Sequence, residues 1–425
     1  MGIVVVNYLL SSDMGFYYGL GLYGALGGNR GGFFTGGLEF GYQRTLPNNI
    51  GVDLGLFGGG GGGGGCGAPK IAGLMLRSHA GLLYDATSWK IGLSYSVVKF
   101  ANANSSSKQI ALHSEQVAVQ LEMPFETVTA NVKDSQTLYR SLQSYEDSYT
   151  FGWSDHYFAA IFQHYIPSDD TNSSYLGDLT LIGIEYGSYF NKQWFGFMEA
   201  SGAMEGGVGG YAEVLGGLGY DYALSRNLGV KAKLSLGSAG GGGIDTGGGL
   251  VYKANVAAYY RPVKQFSIQV EAGYIDTLNG GFKAQTTKLS LAYNLTSLGT
   301  VDNSRCLDTS KEITSGEWNI RVVNQTYLLS DTVEDEAIQL IGLKLDRYFG
   351  DNFYVTGQAY GAYKGGADGY ASGLVGLGYR TPRFFEKMAL YLELLGGTGA
   401  SGGVDSEGGA VVQPMVGVNY TMFDA

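Results

Sequence analysis

Proline, cysteine and histidine are all scarce in this chain of 425 residues, with 7, 2 and 4 copies. Charged residues make up only 15%, and acidic ones exceed basic ones to give a net charge of −11 and a pI near 4.9. Each shortage excludes something. An acidic balance argues against nucleic acid as a partner, because a phosphate backbone selects basic surfaces. Cys66 lies in a glycine tract and Cys306 in a polar segment, so the two thiols give weak support to any disulfide. No apolar run approaches the roughly 18 residues of a membrane helix; GIVVV near the start is ended by Asn7. The opening MGIVVVNYLLSSDMG has neither a basic n-region nor a small-residue cleavage site, so it is not expected to be a secretory signal.

Glycine and tyrosine are abundant instead, at 71 and 32. Glycine is not at every third position, which excludes collagen. With 44% hydrophobic residues the chain is not expected to be disordered.

The glycines belong to a repeat. Tyr211 to Tyr260 is echoed closely from Tyr370 to Tyr420 and more distantly from Phe33 to Tyr84, and each copy reads as strand, turn, strand, glycine-rich loop, strand. A shift of 178 places sets Ile3 to Ser12 on Leu181 to Phe190 and Tyr23-Gly24-Ala25 on Ser201-Gly202-Ala203. A shift of 159 sets Leu181, Tyr189, Ala200 and Gly202 on Leu340, Tyr348, Ala359 and Gly361. The expected organisation is three units. Residues 1–121 hold strands two to eight of the first unit, 155–295 a complete second unit, and 318–425 strands one to six of the third. Polar linkers occupy 122–154 and 296–317. This register suggests that the sequence begins inside a longer one.

Eight strands are expected in the second unit: His156 to Ile166, Leu179 to Phe190, Phe195 to Met204, Tyr211 to Tyr222, Leu228 to Leu236, Leu250 to Tyr260, Phe266 to Ile275 and Ala284 to Leu295. Most alternate with period two. In the fifth, Val230, Ala232, Leu234 and Leu236 share one face and Lys231, Lys233 and Ser235 the other. Short turns follow strands two, four and six (NKQW, ALSRN, RPVKQ), and longer segments follow the others. Short turns at one end and long loops at the other are the plan of a transmembrane barrel of the outer membrane. Strands of roughly 9 to 11 residues suit a tilted crossing. Aromatics gather near the short-turn end, where Tyr189, Trp194, Tyr220, Tyr222, Tyr259 and Tyr260 are candidates for an interfacial girdle.

On strand number, alternation, loop asymmetry and aromatic placement, the chain resembles the eight-stranded OmpA/OmpX-like outer-membrane barrels, in the whole second unit and most of the other two. The resemblance implies an all-β, antiparallel up-and-down transmembrane β-barrel built from three repeated eight-strand-type units, the first and last incomplete. It implies a bacterial outer-membrane location with the lipid bilayer as partner. Such barrels often end on an aromatic residue, whereas Phe423 here is followed by Asp424 and Ala425.

Candidates for the polar barrel interior are Asp53, Arg77, Lys231, Lys233, Lys253, Glu271, Lys288 and Glu393. They either line a narrow pore or form ion pairs filling a barrel too narrow for water; alternation with leucine fixes them inside, since a lipid-facing lysine costs roughly 2 to 4 kcal/mol near the midplane. The glycine runs lack the Gly-Lys-Ser/Thr ending of a phosphate loop. GGGGIDTGGG, with Asp245, partly matches a calcium-binding β-roll repeat, whose counterpart in the third unit carries Asp405, but one copy per unit cannot stack into a roll. Tight packing of tyrosine across glycine is the better account. Asp169, Asp170 and Asp178 read as a solvated acidic loop. His79 and His164 have no histidine in the matching repeat positions, so no catalytic, metal or cofactor site is expected and the chain is not expected to be an enzyme. The expected role is structural, surface-interacting or a narrow pore. Alternatives are one wide porin of about 21 strands, a soluble or fibrous assembly with the apolar faces in dry cores, and a homo-oligomer in which the incomplete end units borrow strands from another copy.

Overall fold

Alternating side chains and frequent turn residues leave the backbone little choice but antiparallel sheet, and the computed structural model consists of such sheets. It describes residues 2–12, 14–28, 32–63, 71–86, 89–101, 113–123, 151–168, 177–208, 210–300, 317–328, 337–365, 370–385, 387–400 and 409–420. The first unit contributes β1 (Gly2–Ser11), β2 (Phe16–Gly27), β3 (Phe34–Leu46), β4 (Ile50–Gly63), β5 (Ile71–Asp85), β6 (Lys90–Ala101) and β7 (His113–Glu122). The second contributes β8 (Phe151–Pro167), β9 (Leu179–Tyr189), β10 (Trp194–Glu205), β11 (Ala212–Ala223), β12 (Leu228–Gly240), β13 (Leu250–Val263), β14 (Phe266–Thr277) and β15 (Lys283–Thr300). The third contributes β16 (Trp318–Tyr327), β17 (Ile338–Phe349), β18 (Phe353–Lys364), β19 (Ala371–Arg380), β20 (Met388–Ala400) and β21 (Ala410–Tyr420).

Consecutive strands pair antiparallel throughout, in an up-and-down order. β8 to β15 form a closed barrel, because β15 returns to β8 in continuous register from Ala284↔Pro167 to Thr300↔Phe151. β1 to β7 make a seven-stranded sheet and β16 to β21 a six-stranded one, with edges at β1, β7, β16 and β21. The strands therefore lie in three sheets, and the one barrel of about 21 strands is not what they form. Pairing of β8 with β15 also reaches into the segments read from sequence as linkers, since a backbone ladder does not need the apolar alternation that ends earlier.

The central barrel is filled in layers. Near the short turns Tyr157, Ala159, Ile161, Phe195, Phe197 and Ala292 pack together, with Tyr189 against them. Toward the long loops Tyr165, Leu179, Tyr211, Val208, Ile244 and Phe282 belong to a second apolar cluster, which three loop residues, Val208, Ile244 and Phe282, help to cap. That closure depends on glycine: Gly241, Gly242 and Gly243 all take positive φ (99°, 59° and 77°), a path that other residues rarely follow. Asp245 ties the loop down by accepting hydrogen bonds from the amides of Gly247 and Gly281, each at 3.1 Å.

Candidate functional site

Between the two apolar layers lies a ring of charge. β12, β13 and β15 aim Lys233, Lys253 and Lys288 inward because these residues share the inner register of their strands with Ser235, Asn255 and Ser290 respectively. β9, β10, β11 and β14 answer with Glu185, Glu199, Glu213 and Glu271. Lys288 bonds Glu185 and Glu199 at 2.8 Å each and Glu271 at 3.0 Å. Lys233 bonds Glu185 at 2.6 Å and Glu271 at 3.1 Å. Lys253 reaches Glu199 at 2.6 Å and Glu213 at 3.3 Å, with Gln163 and Tyr165 as further acceptors. These charges are almost wholly buried, which is tolerable only because every cation meets several acceptors. Lys231 is held differently, its ammonium 4.5 Å from the ring centre of Tyr157, 5.2 Å from Phe195 and 5.3 Å from Tyr259.

The incomplete units place their own candidates on corresponding inner faces. In the first, Asp53 accepts from Tyr17 at 2.8 Å and lies 3.0 Å from His79, while Arg77 lies 3.6 Å from Glu39 and donates to Tyr23 at 3.1 Å. In the third, Glu393 pairs with Lys344, accepts from Tyr354 at 2.6 Å and lies 3.5 Å from Arg321, which also bonds Asp346 at 2.5 Å. All eight sequence candidates are thus buried on inner faces. Sequence reasoning missed Glu185, Glu199, Glu213, Glu39, Lys344 and Asp346, and it weighed His79 only as a catalytic histidine, not as an interior partner of Asp53. The signal was available, since continuing the period-two count through the glycines of IGIEYGSY and FMEASG places Glu185 and Glu199 inside.

The outer face is apolar. Leu218, Leu234, Leu236, Val256, Val270, Leu289 and Leu291 stand outward, Leu234 with 60% of its surface exposed and Val256 with 64%, against 2% for Lys253. At the short-turn end an aromatic pair recurs on this face: Phe16 with Tyr42, Trp194 with Tyr220 and Phe353 with Tyr379, with ring centres 5.2, 5.1 and 5.1 Å apart. Of the girdle candidates, Trp194, Tyr220, Tyr222 and Tyr260 are on the outer face. Tyr189 and Tyr259 are not. They turn inward and donate to Asp221 at 2.6 and 3.0 Å. Tyr259 must oppose Tyr260, its neighbour in one strand, and Tyr189 falls in the inner register with Glu185.

Glycine opens the interior to rings. A Cβ at Gly219 would overlap Phe195, and one at Gly41 or Gly378 would overlap Tyr17 or Tyr354, so the same ring lies on the same backbone position in every unit. Asp178, exposed, lies 3.3 Å from His164. Asp169, Asp170, Asp405, Cys66 and Cys306 lie outside the described residues. Among the described residues no group of acidic, histidine or cysteine side chains could hold a metal, and no helix is long and apolar enough to cross a membrane.

Fold and site together define an antiparallel barrel of inverted polarity, charged within and apolar without. No family model matches the chain, and no curated protein matches it. Solved structures with some likeness include outer-membrane barrels. The Ail protein of Yersinia pestis is 12% identical, with 34% of this chain and 100% of Ail covered and a TM-score of 0.24. Neisserial surface protein A is 12% identical over 34% of this chain and 97% of its own, also at 0.24. A mutant porin of Rh. blastica is 11% identical over 99% of both chains at 0.22. Likeness this slight leaves the case to the strands and side chains themselves.

Proposed function

We propose that this chain is a non-conducting β-barrel protein of the bacterial outer membrane, built from OmpA/OmpX-like units, with a structural or surface-presenting role and no enzymatic activity. The observation that carries the reading is the inversion of polarity in the central barrel: Lys233, Lys253 and Lys288 are buried in ion pairs while Leu234, Leu236, Val256 and Leu289 face outward. Water would favour the opposite arrangement, whereas a bilayer requires this one, and a closed barrel leaves no backbone group of its strands unpaired in lipid. Outward aromatic pairs at one end match the interfacial level. A pore role loses ground to the packing, because apolar layers lie above and below the ion-paired ring.

The test pairs localisation with one substitution. The exported chain is expected in the outer-membrane fraction, with a mobility shift between boiled and unboiled samples in detergent gels. Leu234→Arg should destabilise the barrel in vesicles by roughly 2 to 4 kcal/mol if that side chain faces the bilayer midplane. A soluble chain that tolerates the arginine within about 0.5 kcal/mol, as an ordinary exposed site would, sinks the membrane reading.

A further inference from the structure

On the outer face alternation fails at the same place in all three units. Gly24 on β2, Gly202 on β10 and Gly361 on β18 occupy outward positions, yet all three are buried. They are equivalent in the repeat. What covers them is another unit. A Cβ on Gly24 would come within 2.9 Å of the Cβ of Ser238 on β12, one on Gly202 would overlap Oγ1 of Thr398 on β20, and one on Gly361 would come within 2.6 Å of the backbone of Gly60 on β4. Gly60, Ser238 and Thr398 correspond in turn on the fifth strand of each unit, since they pair with the repeat equivalents Gly36, Val214 and Gly373, the third unit carrying one extra residue before Thr398.

The order of these contacts is cyclic. β2 of the first unit packs on β12 and β13 of the second, β10 of the second on β20 and β21 of the third, and β18 of the third on β4 and β5 of the first. Each unit thus offers its third strand to the fifth and sixth strands of the next. A head-to-tail contact of this kind either closes into a ring or continues as a filament, and here three units close it. One seam also carries a hydrogen bond, from Ser238 Oγ to the carbonyl of Ala25 at 2.5 Å. In lipid, where apolar burial no longer drives association, small residues that let backbones approach are what hold such surfaces together.

We propose that the chain is a single-chain trimer: its three units form one closed ring within the membrane, joined by three copies of the same small-residue seam, whose partner is the next unit of the same chain. Ring closure uses both halves of every copy of the seam, so no half is left for a second molecule. The proposal goes beyond the membrane reading and can fail separately from it, because seam contacts are read from cross-links and location from fractionation.

Three full-length variants test it in a Cys66→Ser, Cys306→Ser background: Gly24→Cys with Ser238→Cys, Gly202→Cys with Thr398→Cys, and Gly60→Cys with Gly361→Cys. Each is expressed as a mixture of isotope-labelled and unlabelled chains, oxidised in the membrane and digested. All three pairs should give disulfide-linked peptides carrying a single isotope pattern, with the mass of one chain on non-reducing gels. Mixed-isotope peptides, or no link in any pair that retains its heat-dependent mobility shift, overturn the ring. Should cysteine at a glycine position prevent folding, the single variants Ser238→Cys and Leu234→Cys decide the matter with a lipid-soluble maleimide. Labelling at 238 should be at least tenfold slower than at 234, and equal rates overturn the seam.

Discussion

Lys288 shows how much one side chain can carry in an interior of this kind. Its ammonium serves Glu185, Glu199 and Glu271 together, and these carboxylates have Lys233 and Lys253 as their other close cations. Removing it leaves three buried carboxylates with too little compensation. Lys288→Met should therefore destabilise the central barrel by about 3 to 5 kcal/mol, the usual cost of breaking a buried pair from one side. The measurement is the shift in the urea midpoint of the mobility change in detergent. Pairing Lys288→Met with Glu271→Gln should recover part of the loss, since the double variant buries one uncompensated charge fewer. A double variant no more stable than the single one would mean that the network is not held by charge balance.

At the scale of the strand, glycine decides which rings fit. Gly219 lies under Phe195, whereas Gly216 on the same strand faces outward with nothing within 4 Å of an added Cβ. Gly219→Val should cost roughly 1 to 3 kcal/mol through overpacking, and Gly216→Val should be close to neutral in the same denaturation assay. Period two was enough to read strands, faces and the inward lysines from sequence, because Lys231, Lys233 and Ser235 alternate with leucine and alanine without interruption. It was harder to follow through Gly183, Gly187 and Gly202, which hide the alternation that places Glu185 and Glu199 inside. Aromatic character at a strand end does not say which face a ring occupies, so it suggests a girdle position for Tyr189 and Tyr259 although alternation turns both inward to Asp221. The seam at Gly24, Gly202 and Gly361 could not be foreseen as a contact, since a lone outward glycine carries no mark of what lies against it.

For the whole molecule, the decisive property is that the central barrel is filled from end to end by an aromatic layer, a ring of charges and a loop-capped apolar layer. Planar bilayers containing the chain should show no steady single-channel steps, and regular conductance steps would contradict a filled interior. The three interiors nonetheless differ. The first unit uses His79, Asp53, Glu39 and Arg77, the second lysine–glutamate pairs, and the third Arg321 with Asp346 and Glu393. An assembly of identical subunits inherits every substitution in triplicate, so a change that helps one subunit is imposed on all. Here each interior is encoded separately, and one codon can be altered while two-thirds of the scaffold stays as it was, leaving each unit free to specialise without putting the others at risk.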